Sequence, residues 1–150
     1  MKTTFFLVLI LSSAFSFGQI HIDSIDWKND AIGYACSVAG SSTNPVSSSI
    51  NLLKKRRYKP ISQLLYSDKP SEQFMAVLLL EQFHKKGDMV INDQDMEQIN
   101  LIRKSYRKVP VCSGCTYWAQ VTLYELLNNK VKHEIYLEGI TWFDYYYQKS

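Results

Sequence analysis

The chain has 150 residues, of which 46% are apolar and 21% charged, and its formal charge is +3. Those proportions describe a folded protein and exclude a disordered tail. The small positive excess excludes a general polyanion binder, so nucleic acid is not an expected partner.

The N-terminus reads as a secretory signal peptide over residues 1–18. Lys2 is a short basic region, Phe5 to Leu11 is an apolar run, and Ser16-Phe17-Gly18 places small side chains where a signal peptidase cleaves. The run is shorter than the roughly 20 residues of a membrane span, so no span is expected after cleavage. The expectation is an exported protein, periplasmic or secreted, with one domain over 19–150. Loss of Lys2 takes the charge from +3 to +2. Seven Phe, ten Tyr and three Trp supply ample material for one core.

Helical spacing then dominates. Trp27, Ala31, Tyr34, Ala35 and Val38 predict a first helix over Asp26 to Ala39, stopped by Gly40. After the loop Ser41 to Pro45 comes a short helix ending in the basic run at Lys54. Pro60 fits the first turn of another, carrying Ile61, Leu64 and Leu65. Ser67-Asp68 is a capping pair for a long helix with Pro70 in its first turn, ending at Lys86 before Gly87. Its centre, Phe74 to Leu80, is apolar on every side, which predicts burial between other helices. Asn92 caps a helix on which Met96, Ile99, Ile102 and Tyr106 share a face, and Pro110 ends that region. A further amphipathic segment runs from Tyr117 to Asn129. The last twenty residues fit a helix by the spacing of Tyr136, Ile140, Phe143 and Tyr147, or a short hairpin turning at Glu138-Gly139. Helix is the preferred reading.

The stretch Leu64 to Pro70 followed by Phe74 to Glu81 resembles the helix–turn–helix unit of HEAT-like repeats. A second pair over Leu101 to Asn129 follows at about the 40–47-residue repeat length. The resemblance implies an all-α stack of antiparallel helix hairpins and a protein-binding surface. It implies no catalytic residues.

Cys36, Cys112 and Cys115 are the chain's cysteines, and Cys112-Ser113-Gly114-Cys115 puts two of them three positions apart. In an oxidising compartment two should pair, and all three pairings are open, each leaving one thiol over. A bridge from Cys36 would close more than seventy residues, which the chain-entropy model values at about 4 kcal/mol. The redox alternative makes Cys112 the nucleophile, its thiolate favoured at a helix start, and Cys115 the resolving thiol. Against it, all four prolines precede Cys115, and a thioredoxin-like fold needs one after its cysteine pair. A zinc site would have to gather Cys36, Cys112 and Cys115 with His84 or His133, and a metal-binding accessory protein is the third reading. Thr116 stands where a c-type haem signature needs histidine.

Lys54, Lys55, Arg56, Arg57 and Lys59 make five basic residues in six. They suit an acidic partner or an anionic envelope surface, or simply a solvated helix end. Asp93, Asp95 and Glu97 do not begin a calcium loop, since Gln98 and Lys104 occupy the glycine and glutamate positions. Tyr136, Trp142, Phe143, Tyr145, Tyr146 and Tyr147 can line a groove or close a core. No phosphate loop, dinucleotide fingerprint or Gly-x-Ser-x-Gly elbow occurs. The sequence therefore predicts a non-enzymatic binding or interaction module with no cofactor and no metal. Its partner is an unknown protein or envelope component, met by the basic run together with Trp142 and Tyr145.

Overall fold

A computed structural model describes residues 25–37, 39–129 and 134–150. The expected leader and His133 lie outside the described residues. The order is α1 (Trp27–Asp30), α2 (Asn44–Lys54), α3 (Tyr58–Leu64), α4 (Pro70–Lys86), α5 (Asp93–Arg103), β1 (Lys108–Ser113), β2 (Tyr117–Thr122), α6 (Leu123–Asn128) and α7 (Glu134–Tyr147).

Helix α4 is the centre. Every side chain from Phe74 to Leu80 is fully buried, and α2, α3, α5, α6, α7 and β1 all pack on it. The apolar run predicted that placement. Gly87 closes the helix at φ +81°, a left-handed cap that glycine adopts without strain. The expected Ser67-Asp68 cap is shifted: Lys69 occupies the cap position, while Ser67 Oγ accepts from the Lys69 amide at 3.1 Å. Asn92 caps α5 as expected, accepting from the Asp95 amide at 2.8 Å.

The chain is not all-α. Residues within the expected second helical pair form an antiparallel hairpin, in which Val109 faces Val121 and Cys112 faces Trp118. Val109 and Val111 are buried from β1, and Val121 from β2. Branched side chains of this kind fit a pleated surface and crowd a helix. Pro110 does not end the region but sits inside β1. The Cys112 amide, two residues on and so on the same side, donates to Ile32 O at 2.9 Å. The donor that proline lacks is therefore not one that β2 needs.

The segment Tyr117 to Asn129 is likewise not one helix. It is β2 followed by α6, and the two are divided by a capping box in which Thr122 and Glu125 satisfy each other's backbone amides.

The first predicted helix is also corrected. Only α1 forms, capped by Asp26, and the chain then extends along the free edge of β1. The Ile32 amide donates to Pro110 O, and the Gly114 amide donates to Ala35 O. A Cβ on Gly33 would lie 2.0 Å from Cys36 Sγ and 2.4 Å from Cys112 Sγ, so no other residue fits there without displacing them. Apolar spacing in this stretch is genuine, since Ala31, Ile32 and Cys36 are buried. The burial is served by an extended segment, not by a helix.

Residues 134–147 are helical, so Glu138-Gly139 is not a turn. Gly139 is there for space: a Cβ would sit 2.4 Å from Tyr34 Oη and 2.7 Å from Leu78 Cδ2.

Candidate functional site

Helix α7 is two-sided. Ile135, Tyr136 and Phe143 face the core, with Phe143 edge-on to Phe83 at 5.1 Å between centroids. Positions 134, 137, 138, 141, 142 and 145 recur at helical spacing and form the outward face. That face is one wall of an open groove of about 720 Å³, whose other wall is Tyr34, Ala35 and Ser113. A volume of this size suits a small molecule or a short chain segment.

The rings are ordered along the groove. Tyr34 and Trp142 lie 5.7 Å apart, inclined at 47°. Tyr146 follows edge-on to Trp142 at 5.5 Å, and Tyr145 edge-on to Tyr146 at 5.0 Å. Leu137 and Tyr145 are about half exposed, at 48% and 53%. Glu138 is steadied by Ser113, whose hydroxyl donates to its Oε1 at 2.8 Å. The Tyr34 hydroxyl is tucked against Met75 Sδ at 3.9 Å. Burial first, and the charge of Glu138 second, push that phenol far above its ordinary value.

The structure joins the two halves of the predicted contact surface. Lys54 Nζ lies over the Tyr146 ring at 5.3 Å and the Arg56 guanidinium over Tyr147 at 5.2 Å. Arg56 also pairs with Asp88 at 3.4 Å. Trp142 and Tyr145 line the groove itself. Lys149 lies over the Tyr145 ring at 3.7 Å and, through a hydrogen bond, lowers that phenol below its usual value. Lys55, Arg57 and Lys59 are exposed. Of the aromatic cluster, Tyr136 and Phe143 belong to the core.

No family model, curated protein or solved structure matches the chain.

The cysteines are divided otherwise than the redox reading requires. Cys36 and Cys112 form a disulfide across 76 positions, and Cys115 is a free, exposed thiol. Cys112 lies in a strand and is fully buried, so no helix start acts on its sulfur. Trp27 and Trp118, edge to face at 5.0 Å, stand with Cys36 around a second hollow of about 400 Å³. Cys36 and Cys112 are spent on each other, so the three cysteines do not converge with His84. The His84 ring instead places Nδ1 3.1 Å from Met89 O. Asp95 is an α5 first-turn residue receiving the Tyr66 hydroxyl at 3.3 Å, consistent with a capped helix and not a calcium loop.

Sequence reasoning missed Tyr34, Ser113, Glu134, Leu137, Glu138 and Thr141. The α7 members were recoverable from spacing alone, once helix was preferred for that segment. Tyr34 and Ser113 arrive by long-range packing and left no local signal.

Proposed function

We propose that the chain is an exported binding module whose ligand lies along the outer face of α7. The observation that carries this reading is the groove itself: aromatic rings on a helix whose opposite side is locked into the core, faced by a segment that a disulfide ties to β1. Rigid elements of this kind hold a binding surface ready-formed and lower the ordering cost of association. The cations Lys54 and Arg56, stacked on Tyr146 and Tyr147, extend the surface beyond the groove. No described helix is long and apolar enough to cross a membrane. The buried disulfide suits an oxidising compartment, in keeping with export.

The groove wall suits contact with a ligand: its serine, Ser113, donates to the Glu138 carboxylate at 2.8 Å and so holds that acid in place.

The test is a fragment screen read by amide and indole chemical shifts on the mature protein. Hits should move resonances of Trp142, Tyr145, Leu137 and Tyr34 together. Hits that cluster instead on the Trp27–Trp118 hollow, or nowhere, overturn the assignment.

A further inference from the structure

The groove's charges name the class of its ligand, an argument that rests on the binding-module reading above. Its described lining contains two carboxylates, Glu134 and Glu138, and no lysine or arginine. An anionic ligand at that part of the wall would meet like charge, whereas Lys54 and Lys149 lie at the far end, over Tyr146 and Tyr145. The rings supply the complementary half. Tyr34 and Trp142 pack on each other at 5.7 Å and 47°, and together they give the groove a continuous aromatic wall. Glu138 is one helical turn before Trp142 and so shares its face, and Ser113 fixes its carboxylate there. Aromatic faces attract cations through their quadrupole, most strongly for tryptophan, and a neighbouring carboxylate adds direct charge attraction. The same helix already shows this preference farther along, where Lys54 and Lys149 rest on Tyr146 and Tyr145. Those two rings are occupied by the chain's own cations; among the described residues no cation is recorded over Tyr34 or Trp142.

We infer that the groove binds an organic ammonium, its alkyl groups against Tyr34 and Trp142 and its charge beside Glu138. Alkylated ammonium fits better than a bare amine, because its weakly hydrated surface loses less on resting against an aromatic wall.

Choline and its neutral isostere 3,3-dimethylbutan-1-ol separate charge from shape. Each is titrated into the mature protein at low salt while the Trp142 indole resonance is followed. Choline should shift it saturably, and the isostere should bind about tenfold more weakly. Glu138→Gln keeps an acceptor for Ser113 and removes the charge; it should weaken choline about tenfold and leave the isostere unchanged. Glu97→Gln makes the same charge change on α5 and should alter neither titration. Equal affinity for the two probes overturns the inference, as does a Glu138→Gln variant that binds choline normally. No saturable choline shift up to about 50 mM also overturns it. If the fragment screen still maps to α7 in any of those cases, the binding reading survives and only the ligand class falls. If it does not, both fall.

Discussion

At the scale of single residues, Tyr136 shows how the site is anchored. Its ring is almost wholly buried, and its hydroxyl donates to Glu81 Oε2 at 3.1 Å. Glu81 also pairs with Arg103, which donates in turn to Leu127 O at 2.8 Å, so one phenol ties α7 to α4, α5 and α6. Burial, then the charge of Glu81, raises the Tyr136 hydroxyl far above its ordinary value, while Arg103 pulls it the other way. A raised folded value stabilises the fold in full below the unfolded value near 10. Above about pH 10 the unfolded chain releases a proton that the folded chain keeps, so stability falls as pH rises. Tyr34 acts in the same direction. Tyr136→Phe should lose about 1 kcal/mol at neutral pH with the hydrogen bond and should flatten the alkaline fall, Tyr34 leaving a residual slope. Urea unfolding at intervals from pH 8 to 11 checks this. An unchanged slope in the variant would show that Tyr136 titrates normally.

At the scale of elements, α4 carries the fold, and its C-terminal half also supports the site. Phe83 meets Tyr58 edge-on at 5.1 Å and Phe143 at 5.1 Å, with Tyr147 beyond at 6.2 Å. It thereby joins α3 and α7 through one ring. Phe83→Ala should cost about 3–5 kcal/mol, since helices already packed on three sides cannot close the cavity. Thermal unfolding measures the loss; a cost below about 1 kcal/mol would mean that the three helices collapse onto the gap.

The legible part of the fold follows the same logic. Helices α4, α5 and α7 could be read because each repeats one pattern for three turns or more, with Gly87 or Asn92 marking an end. The hairpin was obscured because Val109, Val111 and Val121 lie in runs too short to separate period 2 from period 3.6. Thr122 and Glu125, at capping-box spacing, did mark where a helix should begin. They were absorbed into a longer amphipathic pattern instead. The stretch from Ala31 to Cys36 misled for another reason: its apolar residues are buried by pairing with β1, which local spacing does not encode. For the site, the basic run and Trp142 and Tyr145 were legible, and the opposite wall was not.

At the scale of the molecule, the Cys36–Cys112 bridge decides whether that opposite wall exists. Of the described residues from Ala31 to Ser41, Ile32 and Tyr34 reach the main core, Tyr34 resting on Met75 of α4, while Ala31 and Cys36 form a small separate cluster with Cys112 and Trp27 at the sheet edge. Edge hydrogen bonds at Ile32, Gly114 and Ser37 hold the segment to β1. Such a segment opens more readily than a central helix unless a covalent tie limits its excursions. The tie closes a loop of 76 positions, worth about 4 kcal/mol in the chain-entropy model. Tyr34 is two residues from Cys36, so loosening the segment disturbs the half of the aromatic wall that Tyr34 supplies. Replacing Cys36 and Cys112 with serine should therefore lower stability by about 4 kcal/mol. It should also speed hydrogen exchange at the Ile32 and Gly114 amides while those within α4 stay protected relative to global unfolding. Cys115→Ser, on an exposed thiol outside the bridge, should change neither. Mass spectrometry of the unreduced protein gives the companion measurement, a Cys36–Cys112 peptide pair. A Cys112–Cys115 bridge in its place would detach the Tyr34 wall from Cys112 and return the two close cysteines to the centre of the chemistry.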